Sequence, residues 1–423
     1  MARMKIPAIG ERIIDAAPVR VDPDGRALWV YRDGVYRPEA GTLGPLMAEL
    51  LGDDWLPSYA NGVRQWLTES QPKLPAADAD PHPDLVNVAN GMLCWRTGEL
   101  LRHDPAWGST AQSPWPWVPD ADSPRIREAF AYMPPGVIDL LFEVAGYLLW
   151  GRNPYKKAIL LHGPANTGKT TLLNIFTSLV GAENVSHQTL QAIADERFSR
   201  AELFGKQANI VGDLDARNVK SSDYFKMMVG GDMVSAERKG QHPFRFRCRA
   251  KLLFSANKLP GTRDQSDAWF TRFLVIPMTV APKTEDPSLR DGLASDPGEM
   301  AGFLRLAVEG LRRVEARGKF PLVAAVVEAG AAYRDSADSV RAFFKDEDLW
   351  ELDPGAAVPR AEVYATYQRW CTANGRGSLR ASEMYERIHA DGLCMGLTLG
   401  KNAKSVRMIR GALLIANPHY VRP

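Results

Sequence analysis

The sequence contains few cysteines. Only four occur in 423 residues, and they are scattered along the chain at Cys94, Cys248, Cys371 and Cys394. No two of them form a CxxC pair or have the spacing of a metal site, which argues against a disulfide framework and against a zinc module. We therefore expect reduced thiols in a cytosolic protein.

Long apolar runs are also missing. The most apolar helix candidate, residues 137–150, is interrupted by Asp139 and Glu143, and the N-terminus does not resemble a signal peptide. The sequence therefore predicts a soluble cytoplasmic protein with no membrane partner.

The chain has almost no net charge, because 52 Lys and Arg residues face 50 Asp and Glu residues. A global field that attracts nucleic acid is thus excluded, but residues 238–251 contain six cations and no acid. Within this stretch Arg245, Arg247, Arg249 and Lys251 alternate with apolar residues, so a strand here would carry four cations on one face. A solvated sheet edge would show the same pattern. A basic cluster in a nearly neutral chain favours a polyanionic partner such as nucleic acid.

The clearest motif lies at residues 163–170, which read G-x-x-x-x-G-K-T between a short apolar run and an apolar pattern of helical spacing. Gly163 and Gly168 allow the backbone to turn its N–H groups toward a polyphosphate at a helix N-terminus. Lys169 can reach the β- and γ-phosphates, and the Thr170 hydroxyl can hold Mg²⁺. A chance match in a glycine-containing loop is the alternative. The predicted nucleotide-binding residues are Gly163, Pro164, Ala165, Asn166, Thr167, Gly168, Lys169, Thr170 and Thr171.

Polar side chains follow the other apolar runs. Asp213 and Asp215 end the run at 208–215, and Asn257 ends the run at 251–257. On one strand, residues two apart point to the same face, so both aspartates are predicted to face one Mg²⁺ and the attacking water. Each aspartate could instead cap a helix or form a turn, and Asn257 could be a turn residue.

Apolar strands alternate with helices through the middle of the chain, which predicts an α/β fold with a sheet covered on both faces. We expect a mixed α/β domain at 1–135, a nucleotide-binding domain at 136–334 and a third domain at 335–423. In the first, residues 27–36 and 85–95 are predicted hairpins. In the last, helices at 339–349, 360–372 and 381–390, followed by strands at 405–409 and 412–416, give the order of a winged helix.

Together these pieces resemble the superfamily 3 helicase domain of phage and plasmid primase-helicases, a branch that includes the poxvirus primase-helicase. The matching motifs are residues 163–170, 210–215, 226–239 and 253–260, with Arg272 before the run at 273–277. Two positions depart from the family: Asp215 stands where many relatives carry Glu, and Thr271 where relatives often have a second arginine.

The resemblance implies an AAA+-like P-loop domain that binds ATP and Mg²⁺, with Asp213 and Asp215 as Walker B acids. It implies that Asn257 is the sensor and that Arg272 is an arginine finger inserted into a neighbouring subunit of a homo-hexamer. Lys239 and His242 would lie at the tip of a hairpin that faces the central channel. The implied ring moves 3′ to 5′ on single-stranded DNA.

The cluster and the resemblance together make Arg238, Lys239, His242, Arg245 and Arg247 the predicted DNA-binding residues. The predicted partners are single-stranded and duplex DNA in a bacterial host cell. Because no polymerase-type priming domain precedes the motor, primer synthesis is not predicted, and a separate primase or polymerase is a candidate partner.

Three functions are compatible with these features. The first is an ATP-driven helicase that replicates phage, prophage or plasmid DNA. The second is an ATP-dependent initiator or loader that assembles on DNA without unwinding it, and the third is a DNA-binding module whose ATP site is structural. The acids, Asn257 and Arg272 argue against the third function, since binding alone needs none of them.

Overall fold

The structure is a computed structural model. It describes residues 5–23, 25, 27–75, 82–214, 219, 221–240, 242–262, 264, 266–282, 289–374, 377–391 and 396–415. Within these residues, no helix is both long and apolar enough to cross a membrane.

The N-terminal part forms a three-stranded antiparallel sheet packed against helices. The predicted hairpin at 27–36 is confirmed, with Asp33 and Gly34 in the left-handed region at its turn. Buried side chains such as Ile13, Val30 and Leu67 form the core between the sheet and the helices. The elements are α1 (Ile6–Ala16), β1 (Val19–Val21), β2 (Leu28–Arg32), β3 (Val35–Pro38), α2 (Leu43–Leu51) and α3 (Pro57–Ser70).

A second small sheet follows, and the predicted hairpin at 85–95 forms its first two strands. Its core residues belong to the same buried cluster as one face of the central sheet. Trp95 and Trp150 illustrate this packing, because both indole N–H groups donate to the carbonyl of Pro83, at 3.0 and 2.8 Å. The elements are β4 (Leu85–Val88), β5 (Gly91–Cys94), β6 (Leu100–Leu101), α4 (Pro124–Ala129) and α5 (Val137–Leu149).

The central sheet has five parallel strands, β7 (Ala158–His162), β8 (Val185–Ser186), β9 (Ala208–Val211), β12 (Lys251–Ala256) and β13 (Phe273–Pro277). Their order is β13-β7-β12-β9-β8, which places the strand before the phosphate loop inside the sheet. The strands are buried on both faces because their side chains alternate between two cores. In β7, Ile159 and Leu161 pack into one core, and Leu160 packs into the other.

The remaining elements of the middle region cover this sheet or project from it. Strands β10 (Met233–Ala236) and β11 (Phe244–Arg247) form a separate antiparallel hairpin. The helices are α6 (Lys169–Val180), α7 (Leu190–Asp195), α8 (Arg197–Ala201), α9 (Asp223–Gly230), α10 (Asp267–Phe270), α11 (Leu289–Ser295), α12 (Pro297–Arg317) and α13 (Ala324–Ala337).

The C-terminal part combines helices with a three-stranded antiparallel sheet of order β14-β16-β15 around its own core. Its elements are α14 (Ser339–Phe344), β14 (Trp350–Pro359), α15 (Arg360–Ala373), α16 (Ala381–Asp391), β15 (Thr398–Lys401) and β16 (Arg407–Leu414).

Two predictions for this part are wrong. The helix expected at 339–349 ends at Phe344, and β14 follows it. Arg410 and Gly411, where a break between the strands at 405–409 and 412–416 was expected, lie inside β16. Gly411 has a φ of +102°, and a Cβ there would lie 2.0 Å from the Gly396 carbonyl oxygen. The glycine therefore permits a close backbone approach within one continuous strand.

Candidate nucleotide site and basic hairpin

The predicted phosphate loop lies at the carboxyl end of β7. The N–H of Gly163 donates to the carbonyl of Ala256 on the neighbouring strand at 3.2 Å, and the N–H of Met278 donates to the carbonyl of His162 at 2.7 Å. A Cβ on Gly163 would lie 1.9 Å from the Met278 carbonyl oxygen. Glycine is required here because two backbone segments meet at the start of the loop.

The loop is held in a tight turn by its own residues. Asn166 and Gly168 have φ values of +61° and +77°, in the left-handed region. The Thr167 hydroxyl donates to the carbonyl of Pro164 at 3.0 Å, and the Tyr132 hydroxyl donates to the carbonyl of Thr167 at 3.1 Å. The loop is thus preorganised, and Tyr132 is a supporting residue that the sequence did not indicate.

Lys169 begins α6 and points back into the loop. Its ammonium donates to the carbonyl of Gly163 at 2.8 Å, to the carbonyl of Pro164 and to the Thr167 hydroxyl at 3.4 Å. The residue is only 9% exposed. Burial lowers the pKa of Lys169, and the negative charge of Asp213 opposes that shift. The loop therefore holds a desolvated cation for which a phosphate is a suitable partner.

The N-terminus of α6 is suited to an anion. It has no acidic residue in its first turn, and no side chain caps its free N–H groups. Its partial positive charge is therefore not balanced by a local acid. Thr170 is exposed in this first turn. Backbone donors, a buried ammonium and an exposed hydroxyl fit a nucleoside triphosphate with Mg²⁺.

Asp213 lies near this loop, although not in the way that the sequence predicted. Strand β9 ends at Val211, and Asp213 has a φ of +53°, so the expectation that Asp213 and Asp215 extend from one strand is wrong for Asp213. Its N–H donates to the Ser255 hydroxyl at 3.3 Å, and this bond ties the turn to β12. Asp215 lies outside the described residues.

Asn257 is exposed and directly follows β12, whose Ala256 pairs with His162 on β7. The backbone of Asn257 bonds to the His162 imidazole. Burial and the nearby charge of Lys169 lower the pKa of that imidazole, and the bond to Asn257 opposes the shift. The structure thus brings Lys169, Asp213 and Asn257 together at the carboxyl ends of the parallel strands. His162 is a further site residue, which nothing in the sequence marks beyond its position before Gly163.

Arg272 lies at the opposite, amino ends of the parallel strands. It precedes β13, whose first residue, Phe273, pairs with Ala158 at the start of β7. Its guanidinium donates to the carbonyl of Ala268. Arg272 is therefore the one predicted catalytic residue within the described part of the chain that does not join the loop site of the same subunit.

The basic stretch forms the β10–β11 hairpin, which we call the motor hairpin (residues 233–247). Lys239 and His242 are exposed in its turn, and Arg245 and Arg247 are exposed on β11 opposite Ser235 and Met233. Arg238 packs its guanidinium 5.1 Å from the ring centroid of Phe244. The five predicted DNA-binding residues therefore share one hairpin.

The prediction of four cations on one face of a strand is wrong. Strand β11 ends at Arg247, and the chain crosses to the central sheet through residues 248–250. Arg249 is half-buried and donates to the Thr110 hydroxyl at 3.0 Å. Lys251 is fully buried, and its ammonium bonds to the carbonyl of Trp150. Of the four, only Arg245 and Arg247 are exposed on the hairpin.

Two family models match parts of the chain. A family of unknown function (DUF5906) matches residues 161–272, which include the phosphate loop, the motor hairpin and Arg272. A model described as D5 N terminal like matches residues 52–132.

A viral protein is also similar. The chain is 24% identical over 256 residues to the protein named "Putative helicase 022R" from Frog virus 3 (isolate Goorha). The alignment covers 54% of this chain and 26% of the relative, so the chain spans about a quarter of the relative's length.

Among solved structures, two apo forms of the NrS-1 C terminal region are similar in fold. Their TM-scores are 0.55 and 0.52 at 14% and 12% identity, and each alignment covers 95% of this chain and 98% of the solved chain. The fold is thus a mixed α/β fold with a parallel sheet, similar to that region.

Proposed function

We propose that this protein is an ATP-dependent DNA helicase of the superfamily 3 type that acts in phage, prophage or plasmid replication. The observation that carries the proposal is the convergence of Lys169, Asp213 and Asn257 at the carboxyl edge of a parallel sheet, beside a preorganised phosphate loop. In open α/β sheets, ligands bind outside this edge. The similarity to a protein named as a putative helicase supports the same role.

In this proposal residues 163–171 bind the triphosphate of ATP, and Thr170 and Asp213 hold Mg²⁺. When bound, Mg²⁺-ATP supplies the phosphoryl group whose transfer to water releases the energy for movement. Lys169 stabilises the negative charge of the phosphates. Asp213 and Asp215 orient or deprotonate the attacking water, and Asn257 holds that water through its amide.

Arg272 fits a role between subunits. Arg272 lies at the opposite end of the strands from its own phosphate loop. It can therefore contact a phosphate loop only if the loop of a neighbouring subunit lies against it. This supports a closed ring of identical subunits, for which we propose a hexamer that moves 3′ to 5′.

Two basic surfaces are proposed to contact DNA. The first is the motor hairpin, with Lys239 at its turn, facing single-stranded DNA in the ring channel. The second is the hairpin of β15 and β16, which we call the C-terminal basic hairpin (residues 398–414). Its exposed cations are Lys401, Lys404, Arg407 and Arg410, and residues 396–415 contain no acid.

The C-terminal basic hairpin contains a pair of like charges whose repulsion a bound anion would reduce. Lys401 and Arg407 lie directly opposite each other on neighbouring strands. Like charges in such a pair destabilise a sheet. A DNA phosphate near both would remove the repulsion, which supports a winged-helix-like duplex-binding domain at 335–423. We further propose 136–334 as the motor and 1–135 as the preceding α/β domain. A separate primase or polymerase is a candidate partner in the host cytoplasm.

Strand displacement is the deciding experiment. A fluorescent strand annealed to a longer one should be released by the wild-type protein with ATP and Mg²⁺, from substrates with a 3′ tail on the translocation strand. Lys169→Ala should abolish release, whereas Lys206→Ala, at a half-buried lysine that bonds to the Glu183 carbonyl, should not. ATP-dependent DNA binding without release would instead identify an initiator or loader.

A further inference from the structure

A cavity of about 100 Å³ lies where the N-terminal sheet, the β4–β6 sheet and the far edge of the central sheet meet. Residues as distant in sequence as Pro23 and Arg249 line it, and none of residues 163–171 does. It is therefore separate from the phosphate loop. At roughly 10–15 Å³ per water, the space would hold about seven to ten waters, a size that suits one flat ring.

The walls of the cavity have an unusual chemistry. They include the rings of Trp29, His82 and Trp107, and the His82 and Trp107 rings meet edge to face with centroids 4.8 Å apart. Arg249 supplies a guanidinium, and the lining residues that the structure describes include no Asp or Glu. Aromatic faces with one cation and no acid suit a planar ligand that carries negative charge.

The polar groups of the wall are already held in place. The Arg249 guanidinium donates to the Thr110 hydroxyl at 3.0 Å and to the Gly205 carbonyl at 3.3 Å. The Gln112 amide donates to the carbonyl of Asp33 at 2.8 Å. A ligand would thus meet a preformed site, and preformed sites cost less ordering entropy on binding.

One wall residue connects the cavity to the motor hairpin. Phe204 lines the cavity, and its ring centroid lies 5.3 Å from that of Phe244 and 5.5 Å from that of Phe246 on β11. The Arg238 guanidinium lies 5.4 Å from the same Phe204 ring. A DNA strand bound along the cations of the motor hairpin would therefore pass close to the cavity.

We propose that this cavity binds one nucleotide unit, with the base against the tryptophan rings and the phosphate near Arg249. Stacking on aromatic side chains is a general way to hold single-stranded bases without reading their sequence. The inference rests on the proposed function, in which the motor hairpin binds DNA. The same chemistry could come from an unpaired base of bound DNA or from a free nucleotide.

Cross-linking locates the base directly. An oligothymidylate carrying 5-bromodeoxyuridine is irradiated on the wild-type protein, and the cross-linked peptides are mapped. Peptides containing Trp29 or Trp107 are expected. If thymidine monophosphate fails to compete, the occupant is DNA, and if it competes, the site also takes free nucleotides. Absence of any cross-link to the cavity walls, with cross-links formed elsewhere on the protein, overturns the inference.

Affinity for abasic DNA gives a second readout. The wild-type protein should bind an oligothymidylate about 5- to 150-fold more tightly than an oligonucleotide of abasic units. Trp107→Ala should lose most of this preference, and Trp107→Phe should restore it. Trp55→Ala, at a half-buried tryptophan outside the cavity, is the matched control and should keep the preference. A Trp107→Ala protein that folds and prefers normal DNA as strongly as the wild type overturns the inference.

These outcomes separate the cavity from the proposed function. If the motor hairpin binds DNA but the cavity takes no base, backbone affinity and its salt dependence persist while the preference for bases and the cross-links are absent. If the protein binds no DNA at all, the proposed function itself fails.

Discussion

Arg272 and Lys169 lie at opposite ends of neighbouring strands. Arg272 comes before β13, whose first residue pairs with the first residue of β7, whereas Lys169 follows the loop at the other end of β7. At about 3.3 Å per residue, the five residues of β7 separate the two edges by roughly 16 Å. One phosphate cannot contact both residues in a single subunit, so Arg272 acts across a subunit boundary or is structural.

Mixing two inactive variants tests the subunit boundary. Arg272→Ala retains the loop and Lys169→Ala retains the arginine, so a mixed ring contains some interfaces with both groups. An arginine supplied by a neighbour can be worth on the order of 10³–10⁵ in turnover. Each variant alone should barely hydrolyse ATP, and mixtures should regain measurable activity with a maximum at intermediate ratios.

Co-assembly is the necessary control for that experiment and is checked by native mass spectrometry. Arg334→Ala, which removes an arginine paired with Asp267 near Arg272, should be far less impaired. If mixed rings form and remain inactive at every ratio, Arg272 does not act in trans.

Asp213 should be needed for hydrolysis more than for binding. Asp213→Asn removes a negative charge from the proposed Mg²⁺ site but leaves the loop and Lys169 in place. We expect nucleotide affinity within a few-fold of wild type, single-turnover hydrolysis reduced on the order of 10²-fold or more, and a higher Mg²⁺ requirement. Asp215→Asn should also lose hydrolysis, with a smaller change in Mg²⁺ requirement. Unimpaired hydrolysis in both variants would refute the assignment.

Four of the five strands of the central sheet could be predicted because they are short apolar runs buried on both faces, and the loop could be predicted because its residue types are dictated by phosphate binding. The two-residue strand β8 was not predicted. The position of Asp213 could not be predicted from the sequence. The strand rule places residues two apart on one face, but it fails once the backbone enters the left-handed region at Asp213.

Other features depend on partners that are distant in sequence. Pro354 and Gly355 read locally as a turn and lie in an irregularity of β14, yet residues 350–353 and 357–359 on either side of them pair with β16. The alternation through Arg249 and Lys251 predicted one strand, but the chain changes sheets between β11 and β12. The cavity has no local signature either, because its walls come from many separate stretches of the chain between Pro23 and Arg249.

The two basic hairpins should contribute to DNA binding through phosphates and not through sequence. Lys239→Ala and Arg247→Ala should each weaken single-strand binding and reduce the slope of log K against log salt by about 0.7 per lost contact. Lys404→Ala should do the same for duplex DNA, by about 0.9. Titrations over roughly 50–200 mM salt measure both slopes.

Arg127 provides the control for these titrations, because it is exposed but paired with Asp122 outside both hairpins. Arg127→Ala should leave both slopes unchanged. If the hairpin variants behave like Arg127→Ala, the hairpin cations are only solvated charges at a sheet edge and do not bind DNA.

The last prediction concerns the stability of the region behind the motor hairpin. Asp264 pairs with Lys226 at 2.8 Å, and the two side chains are only 17% and 24% exposed. Burial alone would raise the pKa of Asp264, but hydrogen bonds from Lys226, Ser222 and Ser266 outweigh it and hold that pKa well below its usual range. A carboxyl whose pKa is lower in the folded than in the unfolded protein stabilises the fold above the unfolded value and loses that effect as the pH falls through the folded value.

Asp264→Asn should therefore lower the free energy of unfolding by about 1–3 kcal/mol at neutral pH, because Lys226 loses its charged partner. The difference from the wild type should stay constant down to about pH 5 and shrink progressively below about pH 4. Urea denaturation at a series of pH values measures it. Asp223→Asn removes the other carboxylate near Lys226. The Asp223 side chain is 78% exposed, and its carboxylate lies 3.6 Å from the Lys226 ammonium. Its effect should stay within about 0.5 kcal/mol. A pH-independent difference for Asp264→Asn would mean that the amide disturbs packing and that the ion pair contributes little.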